Sequence, residues 1–146
     1  MNTRVAIMHG VNLDQLGRRD PDTYGGINLT ELEVQIRRWA VELGLEPSFF
    51  QTNHEGEFCE ELHQVAQTQD GIILNPGAWT HYSWAIRDAL EIARLPAVEM
   101  HISAVDERED WRRTSVIRDL CVGRVQGKGI DGYREALELL KGELGR

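Results

Sequence analysis

The sequence predicts an α/β protein built on an open, doubly wound sheet of five parallel strands with helices on both faces. Two observations carry that prediction. Short β-rich runs alternate with longer amphipathic stretches along the chain, and three of those runs are apolar enough to be buried on both faces, as strands of a parallel sheet are. No repeat, low-complexity tract or linker divides the 146 residues, so 1–146 reads as a single domain.

The first strand is Arg4–His9, followed by a helix that the capping pattern Thr30-Glu31-Leu32-Glu33 opens and Gly44 closes, with Leu32, Ile36, Trp39 and Leu43 as its inner stripe. The second strand, Glu46–Gln51, leads to a helix over about 57–67. The third strand, Gly71–Asn75, leads to a helix over about 80–93, and Pro96 marks the start of the fourth, Ala97–Ile102. The fifth, Val122–Gln126, passes through the turn Gly127-Lys128-Gly129 into a last helix over about 133–144, with Ala136, Leu137 and Leu140 inward. Two segments, 10–28 and 103–120, are too long for ordinary connections, and loops of that length are usually functional.

Composition narrows the partners. With 16 basic and 24 acidic residues the net charge is −8, which disfavours nucleic acid and anionic membranes and favours a small-molecule ligand. Lys128 and Lys141 are the lysines, so amine chemistry has few candidates. Cys59 and Cys121 stand far apart, signal neither a zinc site nor a disulfide, and read as buried small hydrophobes. The longest apolar run falls short of a membrane span, and the expected location is the cytoplasm. Trp39, Trp79, Trp84 and Trp111 are scattered, which suits core or subunit packing. Glycine fingerprints of dinucleotide and phosphate-loop folds and the Gly-x-Ser-x-Gly elbow are missing from the sequence.

In open α/β sheets the ligand lies beyond the carboxyl ends of the strands. Polar residues gather there: Asn12, Arg18, Arg19 and Tyr24 after the first strand, Asn53-His54-Glu55 after the second, Asn75 after the third, and Glu99, His101 and Ser103 at the end of the fourth. Strand alternation puts Glu99 and His101 on one face, where the carboxylate orients the imidazole for proton transfer or simply satisfies a core histidine. Helical spacing puts His81 and Asp88 on one face of the third helix, and Arg108 and Arg112 on one face of a helical turn, where ion pairs with Glu107, Glu109 and Asp110 are the plainer alternative.

Five ordered blocks then give the sequence a family resemblance. They are Gly10-Val11-Asn12-Leu13 through Gly17-Arg18-Arg19-Asp20-Pro21 to Tyr24-Gly25; Gln51-Thr52-Asn53-His54-Glu55-Gly56-Glu57; Asn75-Pro76-Gly77-Ala78-Trp79-Thr80-His81 with Ala85-Ile86-Arg87-Asp88-Ala89; Glu99-Met100-His101-Ile102-Ser103 with Arg108-Glu109-Asp110-Trp111-Arg112; and Gly127-Lys128-Gly129-Ile130-Asp131-Gly132-Tyr133. Together they resemble the type II 3-dehydroquinate dehydratases over nearly the whole chain. The resemblance implies a flavodoxin-like fold and loss of water from 3-dehydroquinate to give 3-dehydroshikimate, with neither cofactor nor metal. Carried over, Tyr24 abstracts the C2 proton, Arg19 supports it, Asn12 positions a water at the enolate, and His101, oriented by Glu99, protonates the leaving hydroxyl. Asn75, His81, Ile102, Ser103 and Arg112 match substrate-binding positions, Arg108 adds positive charge, and Asp88 approaches a neighbouring subunit's site in a dodecamer of four trimers.

Departures from the family pattern are His9 for Asn, Val11 for Pro, Asp14 for Asn, Gln15 for Leu, Asp20 for Glu, Ala104 for Asn and Arg113 for His. They fall in the first long loop and after the fourth strand, where they bear on lid packing rather than on a named chemical group. Besides the shikimate-pathway enzyme, the resemblance accommodates a catabolic copy of the same activity in quinate breakdown and a non-catalytic ligand-binding paralogue.

Overall fold

In the computed structural model, which describes residues 2–146, all five strands pair in parallel in the order β2-β1-β3-β4-β5. β1 is Arg4–His9, β2 Glu46–Gln51, β3 Gly71–Asn75, β4 Ala97–Met100 and β5 Gly123–Val125. The helices are the four-residue α1, Pro21–Tyr24, then α2, Leu29–Glu42; α3, Glu55–Thr68; α4, Trp84–Ala93; and α5, Gly132–Leu144. Alternate strand residues face opposite layers. Val5, Ile7, Ile73, Val98 and Met100 pack with α2 and α5, whereas Ala6, Met8, Ile72, Leu74 and Ala97 pack with α3 and α4. That is the doubly wound arrangement read from the sequence.

Several boundaries move, each for a local reason. The α2 capping box closes at Asn28 and Glu31: the Glu31 backbone N–H donates to Asn28 Oδ1 at 2.8 Å, and the Asn28 N–H to Glu31 Oε1 at 3.0 Å. Thr30 therefore lies inside the helix. Asn is at least as good a cap as Thr, the earlier start lets Leu29 pack on the core, and Glu33 turns instead toward His9. Of the expected inner stripe, Leu32 and Ile36 are fully buried with Ala40, while Trp39 and Leu43 are partly buried at its edge.

The helix expected over 80–93 is two elements. Gly77–His81 is a 3-10 turn, and α4 begins only after Ser83, whose side chain accepts the Ile86 N–H at 3.1 Å. His81 and Asp88 consequently do not share a helix face. Trp79 is core, edge-on to Phe58 at 5.7 Å, whereas Trp84 is exposed. Cys59 and Cys121 are free thiols, partly rather than fully buried. Among the described residues, no helix is long and apolar enough to cross a membrane.

The chain goes from β1 out to the edge strand β2 and then back past β1 to β3. This reversal opens a crevice between the carboxyl ends of β1 and β3. Two glycines let the chains meet there. A Cβ on Gly10 would stand 2.6 Å from the Pro76 carbonyl carbon, and Gly77, at φ 66°, places its backbone under Val11. Gly10→Ala should therefore push the β1 and β3 ends apart and destabilise the protein by about 1–3 kcal/mol in urea unfolding; unchanged stability would show that the corner is not tightly packed.

Candidate active site

The two long loops close over the crevice. Asn12 takes the left-handed conformation, φ 69° and ψ 1°, which asparagine tolerates better than most residues. Its N–H donates to Asn53 Oδ1 at 2.8 Å, so the tip of β2 anchors the turn. The chain runs through the 3-10 segment Leu13–Arg18 into α1, where Asp20 accepts from the Asp22 N–H at 3.1 Å and from Thr23 Oγ1 at 3.0 Å. Tyr24 ends that helix. The small cavity beneath is lined by Asn12, Arg19, Tyr24, Asn75, His81 and His101, with Ile102, Ser103, Arg108 and Arg112 completing the wall.

Two groups in it are set for proton transfer. Tyr24 Oη accepts hydrogen bonds from Arg19 Nη2 at 2.7 Å and Arg108 Nη1 at 2.9 Å, and the Arg19 guanidinium lies 4.3 Å from the ring centroid. Two cationic donors, one from each long loop, thus converge on one phenol oxygen. Arg108 also reaches Ser103 Oγ at 3.2 Å, which ties Tyr24 to the end of β4. Arg108 and Arg112 do not share a helical turn, because Arg108 closes the 3-10 turn Val105–Glu107 and Glu109 opens the next, Asp110–Arg113. The fold nevertheless brings both to the cavity, with Arg112 paired to Glu109.

The second group is His101. Its Nε2 lies 2.6 Å from Glu99 Oε2, so the ring N–H there donates to the carboxylate and Nδ1 is left to exchange a proton. Glu99 has no solvent exposure. Burial alone would raise its pKa, but the hydrogen bond and charge of His101, with donation from Thr80 Oγ1 at 2.6 Å and Ser115 Oγ at 2.7 Å, override this and hold the carboxyl down at about 2. His81 stacks near His101, centroids 6.4 Å apart, and meets Trp111 edge-on at 5.2 Å. Its Nδ1 lies 2.7 Å from the Thr114 carbonyl oxygen and must donate to it, so in the neutral ring Nε2 is an acceptor. Burial holds the His81 pKa below the usual histidine range, despite that bond. Asn75 is oriented by accepting the Gly77 N–H on Oδ1 at 3.1 Å.

Of the residues singled out in the sequence, Asp88 stands away from this cavity, on α4, and Arg18, Asn53, His54 and Glu55 are not part of its wall. Glu99 sits behind the wall, in contact with His101. The partners of Glu99 were not foreseen: Thr80 lay inside a recognised block with no signal of its role, and Ser115 and Arg124 come from the second long loop and β5. Several departures find partners, while His9 is buried with neither ring nitrogen hydrogen-bonded. Asp14 accepts from Asn53 Nδ2 at 3.1 Å and from Gln15 Nε2 at 3.3 Å, Arg113 Nε donates to the Asp106 carbonyl at 3.2 Å, and His9 is buried 3.3 Å from Glu33 and stacked on Phe49.

A crevice at the switch point of a parallel sheet, holding an arginine-bound phenol and a carboxylate-bound imidazole, defines a site for acid and base chemistry on a small anionic molecule. Comparison with known proteins makes this specific. The family model described as Dehydroquinase class II matches residues 3–141. A 3-dehydroquinate dehydratase of Halothermothrix orenii is 48% identical over 94% of this chain and 93% of its own length, and one of Thermotoga maritima is 45% identical over 97% and 96%. The crystal structure of a type II dehydroquinase from Propionibacterium acnes superposes with a TM-score of 0.91 at 36% identity, over 97% of this chain and 98% of that one. That of Butyrivibrio crossotus gives 0.90 at 38%, over 95% and 97%. The chain belongs to the class II dehydroquinase family.

The hydrogen bonds and charge that hold Glu99 ionised make stability depend on pH. Its carboxyl has an ordinary value of 4.5 and a folded value of about 2. As pH falls, the unfolded chain therefore takes up the proton first. The stabilisation is complete above pH 4.5 and drains away as pH drops toward 2. Urea midpoints measured across that window should fall less steeply in Glu99→Gln, and Thr80→Val should cost about 1.5–3 kcal/mol at neutral pH through the lost bond to a charged group. An identical slope in Glu99→Gln would mean that Glu99 is not held ionised.

Proposed function

We propose that this protein catalyses the reversible elimination of water from 3-dehydroquinate to give 3-dehydroshikimate, a step of the shikimate pathway, through an enolate intermediate. The observation that carries the reading is the pairing in one cavity of a phenol bound by two arginines with an imidazole bound by a buried carboxylate. Family membership supplies the substrate.

In this reading Tyr24, as phenolate, removes the C2 proton. Arg19 and Arg108 both donate to the oxygen that takes this proton and hold it in place. The C2–H electron pair passes into the enolate, whose oxygen is stabilised by a water held by Asn12. When the enolate collapses, the C1–O bond breaks and the oxygen leaves as water with a proton from His101 Nδ1. Glu99 stabilises the imidazolium beforehand and fixes the ring's orientation. Asn75, Ile102, Ser103 and Arg112 bind the substrate, and the acceptor nitrogen of His81 receives one of its hydroxyls. Arg108 and Arg112 answer the substrate's carboxylate in a chain whose net charge is −8. Lys128 lies on the surface, paired with Glu135 at 2.5 Å, and Lys141 is exposed on α5, so neither stands in the cavity for imine chemistry.

The assembly belongs to the same proposal. Asp88 meets a cavity only if that cavity is a neighbour's, and Tyr82, Trp84 and Ile92 leave an apolar surface at α4 beside it. A dodecamer of four trimers satisfies both. We place it in the cytoplasm, where Cys59 and Cys121 stay reduced.

Purified protein mixed with 3-dehydroquinate should show the rising ultraviolet absorbance of the conjugated enone product; no rise at any pH would refute the activity. Tyr24→Phe keeps the ring and removes the ionisable oxygen, so kcat should fall by ~10²–10⁴-fold with little change in KM. A correctly assembled Tyr24→Phe protein with near-normal kcat would remove Tyr24 from the mechanism. Light scattering should give a mass of twelve chains, and a fully active monomer would contradict the shared site.

A further inference from the structure

Arg124 is a buried cation that the mechanism above does not use. It lies on β5, in register with Glu99 of β4, and their side chains share the sheet face that carries His101. Its side chain is 9% exposed, and its Nε is 3.4 Å from Glu99 Oε1. On its other side Nη1 donates to Asp106 Oδ2 at 3.3 Å. Asp106 is held in turn by Gln126, which donates to Oδ2 at 2.7 Å and accepts the Asp106 N–H at 3.1 Å. Arg124 Nε and Nη2 are buried with no directional hydrogen-bond acceptor. A guanidinium buried at that cost needs a reason, and the carboxylate beside it supplies one.

We propose that Arg124 is a positioning residue for the acid step, sharing the charge of Glu99 so that the carboxylate orients His101 without holding its proton too firmly. The inference rests on the activity proposed above and adds a residue to it. A buried carboxylate whose only charged partner is an imidazolium stabilises that imidazolium strongly and so opposes proton release from it. A second cation on Oε1 weakens that hold, while Thr80 and Ser115 satisfy the remaining lone pairs. Asp106 sits at the far end of the guanidinium and fixes its place. Because Asp106 also belongs to the 3-10 turn that Arg108 closes, the same strut joins the His101 side of the cavity to the Tyr24 side.

The test compares Arg124→Met, which keeps the side-chain volume and loses the charge, with Arg124→Lys, which keeps the charge. Unfolding midpoints are measured to confirm that both are folded under assay conditions. In Arg124→Met, kcat for 3-dehydroquinate should fall about 10- to 100-fold with KM little changed, and Arg124→Lys should recover most of it. Asp106→Asn should lower kcat in the same direction, and the double variant with Arg124→Met should be no slower than Arg124→Met alone. The single Asp106→Asn variant keeps the role testable if Arg124→Met does not fold. The low-field NMR signal of the His101 ring N–H gives a readout that needs no turnover: it should move downfield in Arg124→Met as the bond to Glu99 tightens. Absence of turnover by the unmodified protein would count against the proposed activity, and the N–H signal would still decide on Arg124. Equal kcat losses in the Met and Lys variants, a change in KM alone, additive Arg124 and Asp106 effects, or an unmoved N–H signal would each overturn the role.

Discussion

A carboxylate with no access to water has to have its charge answered by protein, and Glu99 sets that demand at the centre of the molecule. Its two oxygens draw groups from four places in the fold: His101 from the end of β4, Thr80 from the turn before α4, Ser115 from the second long loop and Arg124 from β5. Removing any one leaves a buried charge underpaired, which is costly in a way that a surface ion pair is not. The long loop 103–120 is therefore not a free excursion. It is pinned through Ser115 at one side and through Asp106 and Gln126 at the other. His101 inherits its orientation from this arrangement.

The crevice itself follows from connectivity. Because β1 lies between β2 and β3, the loops leaving β1 and β3 diverge, and close approach at Gly10 and Gly77 keeps the gap narrow. Arginines then concentrate positive charge there in a chain of net charge −8. Arg19 arrives with the first loop and Arg108 and Arg112 with the second, so the phenol of Tyr24 is gripped from both. A phenol gripped from two loops keeps both contacts only while the two are closed over the cavity.

The departures in the first loop have a consistent physical sense. Asp14 and Gln15, where the family carries Asn and Leu, join Asn53 and Arg18 in a polar network across the loop. That network stands beside Asn12, whose N–H the same Asn53 holds. His9 fills its site as a stacked ring beside Glu33, behind the cavity wall.

The class of fold, the strand positions and most of the cavity wall were legible in the chain before it folded. These rest on short-range regularities: apolar runs at strand length, helix stripes at helical spacing, and polar residues just past strand ends. Glu99 and His101 were readable as a pair because two-residue alternation along a strand fixes which side chains share a face. The helix starts at Asn28 and Ser83 were misplaced because several nearby residues suit a cap, and burial of Leu29 and of Trp79 chose between them. Only the tertiary structure joined Thr80, Ser115 and Arg124 to Glu99, because they are 16 to 25 residues away from it in the chain and meet it through sheet register and loop packing. No local pattern encodes contacts of that range. They are decided by how the whole chain closes around one buried charge.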